Sequence, residues 1–174
     1  MAIRDINFAT LTLQDALDLA ILVEDEAQER YSEFADQMEL HRTPEAAQFF
    51  RYMVENEGKH GQELSARRQE LFGDAPRAVT RAMIFDLEAP DYDAARAFMS
   101  ARKAMEAALA SEVKAQAFFE AALPALKDPT VRALFSELRD EEIKHQALVL
   151  DEIAKLPQDS GLSDEDFVDA PAPQ

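Results

Sequence analysis

Phe49-Phe50-Arg51-Tyr52-Met53-Val54-Glu55-Asn56-Glu57-Gly58-Lys59-His60-Gly61-Gln62-Glu63-Leu64 reads as a helix that carries charge on its apolar side. Phe50, Met53, Glu57, His60, Leu64 and Leu71 recur at helical spacing, so the stripe that should face a core includes a carboxylate and an imidazole. A carboxylate there is normally excluded by its desolvation cost, and something must compensate it. The same pattern returns without gaps from Leu134-Phe135 through Glu142-Ile143-Lys144-His145 to Val149. In both copies the histidine follows the glutamate by three residues, about 300° of rotation and roughly 4.5 Å of rise, so both side chains reach toward one point.

Working outward, a first helix is expected from about Thr12 to about Leu40, with Leu13, Leu17, Ala20, Glu24, Ala27, Tyr31, Phe34 and Met38 on its inner stripe. The second opens at Thr43-Pro44-Glu45, with proline at the first helical position, and Gly73 closes it. A third is expected from about Ala94 to Leu123, capped by Asp91 or Asp93, carrying Ala101, Met105, Ala108, Glu112, Ala115, Phe119 and Ala122 inward. The fourth follows Asp128-Pro129, places Phe135, Leu138, Glu142, His145, Val149 and Glu152 on one stripe, and ends before Pro157. Glu24, Ala27 and Tyr31 align on Glu112, Ala115 and Phe119, so the two helix pairs share one plan.

The fold class is therefore all-α, a four-helix bundle. Short turns join the first helix to the second and the third to the fourth, as antiparallel neighbours require. The stretch from about Gly73 to Asp93 is long enough to run the length of the bundle, a crossover between the second and third helices, with a short helix expected from Ala78 to Leu87. Residues 1–156 form the bundle. From 157 to 174 the chain holds Asp159, Asp164, Glu165, Asp166 and Asp169, three of the eight prolines and no base, an acidic tail.

Composition narrows the chemistry. The 47% hydrophobic content and only four glycines suit helices, and 174 residues suffice for one core. Without cysteine, neither disulfide, iron–sulfur cluster nor thiol catalysis is available. A net charge of -17 disfavours nucleic acid and favours cations. The chain shows neither a membrane-length apolar run nor a signal peptide, so a cytoplasmic protein without membrane attachment is expected.

Each of the four inner stripes carries one glutamate near its middle: Glu24, Glu57, Glu112 and Glu142. Four carboxylate charges are cancelled by two divalent cations with neutral His60 and His145. Hard oxygens with imidazoles and no thiolate suit iron or manganese, with zinc as a further substitute. The expected metal ligands are thus Glu24, Glu57, His60, Glu112, Glu142 and His145, with Glu57 and Glu142 as bridges beside their histidines. Tyr31, two turns after Glu24, is placed to bond a ligating carboxylate, whereas His41 near the end of the first helix is read as meeting free carbonyls there.

Glu24-x-x-Ala27-x-x-x-Tyr31-x-x-Phe34-Ala35, Glu57-x-x-His60, Glu112 and Glu142-x-x-His145 together resemble the rubrerythrin branch of the ferritin-like superfamily over about residues 10 to 156. The resemblance implies a ferritin-like bundle holding two Fe ions that react with dioxygen or hydrogen peroxide, with Glu57, Glu142 and Tyr31 closest to the chemistry. The chain departs from the family twice. The Cys-rich rubredoxin module is absent, leaving an external electron donor unknown, and Ala115 stands where the family has a further glutamate one turn past the third-helix ligand. A di-iron oxidoreductase, ferroxidase or peroxidase, is the expected function, as a homodimer. An iron storage or delivery protein and an aldehyde-oxidising enzyme are the alternatives.

Overall fold

The computed structural model describes residues 7–40, 43–83 and 100–156. Among these residues there are four long helices and no strand: α1 (Leu13–Leu40), α2 (Pro44–Phe72), α3 (Ala101–Ala122) and α4 (Pro129–Lys155), with short 3-10 turns at Phe8–Thr10 and Arg81–Met83. None of the four helices is long and apolar enough to cross a membrane. Pro44 begins α2, and Gly73 ends it at φ 53°, a left-handed value that favours glycine, while its N–H donates to Gln69 O. Asp128 caps α4 by accepting from the N–H groups of Thr130 and Val131.

The third helix starts later than its periodicity suggested. Ser100 is extended, and its hydroxyl accepts from Lys103 N, so α3 begins at Ala101 rather than near Ala94. Alanine and aromatic spacing upstream carried the sequence reading past a cap supplied by a serine. The proposed Asp91 and Asp93 caps, the region around His41, residues 84–87 of the expected short helix and the acidic tail lie outside the described residues, and over residues 78–83 that expected helix is only the 3-10 turn at Arg81–Met83. Leu71 is a second correction, half exposed rather than inward. At the end of α2 the buried positions are taken by Arg68, with Phe72 packing on the core beside it.

α1 packs along α2, and α3 along α4. Their side chains form two apolar cores. One joins Leu17 to Val23 of α1 with Leu64 of α2, Phe118 and Phe119 of α3, and Val131 to Leu138 of α4. The other joins Ala27 to Met38, Phe49 to Met53, Ala104 to Ala108, and Val149. The end of α2 belongs to the first core and the start of α3 to the second, so these helix termini lie at opposite ends of the bundle. That is the long-crossover connectivity, and the fold is a ferritin-like four-helix bundle.

Arg102 closes the C-terminal end of α4 by donating to Ile153 O at 3.0 Å and Leu156 O at 2.8 Å. These bonds satisfy carbonyls that a helix end leaves open, independently of anything beyond Leu156. Truncation after Leu156 is accordingly expected to leave metal stoichiometry unchanged and the melting temperature within about 4 °C, the most that a change of about 1 kcal/mol produces in a domain of this size. Calorimetry and metal analysis of the truncated chain check this, and loss of metal would move the domain boundary into the tail.

Candidate metal centre

Between the two apolar cores the bundle holds a layer of polar side chains. Glu24 follows Val23 at the junction of the cores on α1, and Glu57 with His60 sits between Met53 and Leu64 on α2. Glu112 lies between Ala108 and Phe118 on α3, and Glu142 with His145 between Leu138 and Val149 on α4. All six predicted residues thus come to one level. Helical periodicity is the cause, since each glutamate replaces an apolar residue in an inward register that continues on both sides.

The distances centre on His145. Its Nδ1 lies 3.2 Å from Glu112 Oε2, 3.6 Å from Glu57 Oε1 and 3.9 Å from Glu142 Oε2. His60 Nδ1 lies 3.9 Å from Glu57 Oε2 and 4.0 Å from Glu24 Oε2. Glu57 therefore spans the two imidazoles with its two oxygens, and the imidazole rings stack at 5.1 Å, 9° from parallel. Among the described residues two groups of donors are close enough to hold an ion, Glu57 with His60 and His145, and Glu112 with Glu142 and His145, while the predicted ligand Glu24 belongs to neither and meets the layer 4.0 Å from His60.

The donor chemistry fits metal. Bonds of about 2.1 Å from an ion to oxygen or nitrogen place neighbouring donors about 3.0–4.2 Å apart, depending on the angle between them. The separations above span 3.2 to 4.0 Å. Glu24 Oε2 and His60 Nδ1 are moreover buried, face one another at 4.0 Å, and have no hydrogen-bond partner. Buried polar atoms are ordinarily satisfied, and a cation between them would satisfy both.

Without an ion, protons carry the balance. Burial pushes the Glu24 carboxyl up to about 7, against a hydrogen bond with Glu57 and the field of His145, which act to lower it. Burial also lowers His60, assisted by the neighbouring His145. For His145 burial acts in the same sense, but the hydrogen bond and charge of Glu112 outweigh it and the pKa is raised. Glu24 binds its proton more tightly folded than unfolded, so its contribution to the stability of the metal-free protein is lost as pH rises from about 4.5 to about 7. Metal-free protein is expected to melt at a lower temperature at pH 8 than at pH 5.5, and Glu24→Gln to shrink that difference. A melting difference identical in wild type and variant would show that Glu24 does not titrate in this window.

Supporting contacts differ between the two halves. Tyr31 OH donates a short hydrogen bond to Glu112 Oε1, so the two oxygens of Glu112 are divided between Tyr31 and His145. Ser111 Oγ lies 3.5 Å from the same phenol. Burial, followed by the charge of Glu112, raises the Tyr31 pKa well above its usual value and keeps it a donor. Gln146, which sequence reasoning passed over, donates to Glu112 O at 3.3 Å and to Gln116 Oε1 at 2.8 Å, tying α4 to α3 beside the ligand. On the other side Gln28 Nε2 donates to Val54 O, lying over Gly58, where an added Cβ would come within 2.3 Å of that amide. The aligned repeat held the signal: Gln28 and Gln116 each follow a glutamate of the layer by four residues.

Residues 15–93 match the family model described as rubrerythrin. A solved structure of an uncharacterized conserved protein from Magnetospirillum magnetotacticum MS-1 is similar at 29% identity and a TM-score of 0.69, over 86% of this chain and 99% of that one. No curated protein matches the chain.

Proposed function

From a rubrerythrin-like chain of the ferritin-like di-iron superfamily, we propose a di-iron carboxylate oxidoreductase in which Glu24, Glu57, His60, Glu112, Glu142 and His145 hold two Fe ions. The observation that carries this reading is the one layer in which Glu57, Glu112, Glu142 and two imidazoles converge at ion-binding separations, with Glu24 Oε2 4.0 Å from His60 Nδ1 and both of those atoms otherwise unsatisfied. Two bound Fe(II) ions would supply the electrons that reduce dioxygen or hydrogen peroxide.

The chain itself supplies charge, geometry and dryness. Glu57 is positioned to bridge, since its two oxygens face the two histidines. Tyr31 fixes the rotamer of Glu112 and holds a proton at its Oη next to a donor oxygen. The apolar cores above and below shut water out of the layer at both ends, which strengthens the electrostatic interactions among its buried members, and leave His60 as its partly exposed one.

Ala115 tunes the reaction by what it lacks. In the rubrerythrin pattern a glutamate at this position offers an extra donor when the centre is oxidised. Here a methyl group with 0% exposure fills the place, so His60 remains the donor on its side. Dioxygen is therefore expected to oxidise the Fe(II)-loaded protein at a rate within about tenfold of hydrogen peroxide, a barrier difference below about 1.4 kcal/mol. Stopped-flow absorbance with each oxidant at equal concentration tests both activity and preference. No oxidation by either would overturn the proposed function, and a peroxide rate hundreds of times greater would return the chain to a dedicated peroxidase.

A further inference from the structure

Building on the metal-centre reading, we infer that divalent cations enter past His60, through an acidic mouth between α2 and α4 formed by Glu63 and Glu141. The His60 side chain is 25% exposed, whereas those of the other five residues of the layer are exposed by 5% or less. Solvent thus reaches the layer at His60. The His60 ring stacks on His145 of α4 at 5.1 Å, which brings α2 and α4 together at this opening, and the charges of Glu141 and Glu63 act on that ring with Lys144 opposing them. Glu63 lies one turn past His60 on α2, Glu141 and Lys144 flank Glu142 and His145 on α4, and Lys144 pairs with Glu141.

An acidic rim alone would be only a solvated surface. This one leads inward to His60 Nδ1, which is buried and without a hydrogen-bond partner, and 4.0 Å beyond it to Glu24 Oε2, equally unpartnered on a side chain 95% buried. The sequence of groups falls from an exposed and a partly exposed carboxylate, through a partly exposed imidazole, to a buried carboxylate. A hydrated cation meets negative potential at the rim and replaces its waters one donor at a time. Lys144, by occupying Glu141, moderates the field at the entrance.

Redox-inert Co(II) is the probe, followed by its stopped-flow absorbance at 0.1 M ionic strength, where a Debye length of about 10 Å leaves only nearby charges effective. Glu63→Gln/Glu141→Gln is expected to load about fivefold more slowly than wild type at unchanged final stoichiometry, since focused charge changes on-rates by about tenfold or more. Lys144→Gln should load about twofold faster. The charge-matched control Glu45→Gln/Glu70→Gln changes exposed α2 residues about 22 Å and 15 Å of helix rise away from His60, and should stay within about twofold of wild type. Equal rates in the rim variant and the control would overturn the entry route. Reduced stoichiometry in the rim variant would also overturn it, by making Glu63 and Glu141 ligands. Absence of Co(II) uptake by the wild type would overturn the metal centre itself, and the route with it.

Discussion

Anaerobic reconstitution with Fe(II) is expected to load two ions per chain and to raise unfolding stability by about 4 kcal/mol when free metal exceeds the dissociation constant a thousandfold. The stoichiometry follows from charge. Four glutamates and two neutral histidines balance two divalent ions, and the donors form two groups that share His145. The stabilisation follows because the layer exists only when four helices meet, so the ion binds folded chain alone. Glu57→Ala removes both oxygens that face the imidazoles and is expected to abolish loading at both positions. His145→Ala removes one of the two imidazoles and should lower loading to at most one ion. The metal-free variants separate binding from folding. Removing one of several crowded carboxylates relieves repulsion, so apo Glu57→Ala is expected to unfold no more easily than apo wild type, despite its loss of metal. Metal analysis with thermal unfolding decides the matter. A content near zero in wild type, or a melting temperature unmoved by saturating Fe(II), would count against the site.

The bundle and its polar layer were legible in the sequence because both rest on local periodicity. A glutamate at a stripe position announces itself within two turns, and the repeat of Glu-x-x-His on α2 and α4 fixed which faces meet. Three features were not legible. The start of α3 depended on Ser100, one of several polar residues upstream able to cap a helix, and periodicity alone does not choose among them. Leu71 lost its inward place because Arg68, whose partner lies fifty residues away, and Phe72 take the inward positions at the end of α2. The opening at His60, 25% exposed in an otherwise buried layer, depends on how the neighbouring helix packs against it, which spacing along one helix does not encode. Local pattern thus assigned residues to faces, while partners distant in sequence decided where faces open and close.

The clearest such partner is Asp18, and its removal is expected to cost about 3–5 kcal/mol, the range for stripping one member from a buried ion pair. Asp18 sits among apolar residues of α1 with 0% exposure, and nothing in its own segment marks it as buried. Arg68 Nε meets its Oδ1 at 2.9 Å, and the remaining guanidinium protons reach Gly73 O and Ala75 O, where the chain leaves α2. One arginine therefore fixes α1 against the end of α2 and satisfies carbonyls beyond the helix terminus. Asp18→Ala leaves that buried charge without its counter-ion. Arg77 also contacts Asp18, at 3.3 Å, but its side chain is 44% exposed, so Arg77→Ala is expected to cost less than about 1 kcal/mol. Denaturant unfolding of the metal-free variants measures both. The consequence should reach the metal layer, because Asp18 precedes Glu24 by six residues on one rigid helix and sets its register against Glu57 and His60. Asp18→Ala is expected to weaken Fe(II) binding without lowering its final stoichiometry, whereas Arg77→Ala should leave affinity unchanged. Equal stability losses in the two variants would show that the buried pair contributes no more than a surface contact, and that the register of α1 is set by its apolar stripe alone.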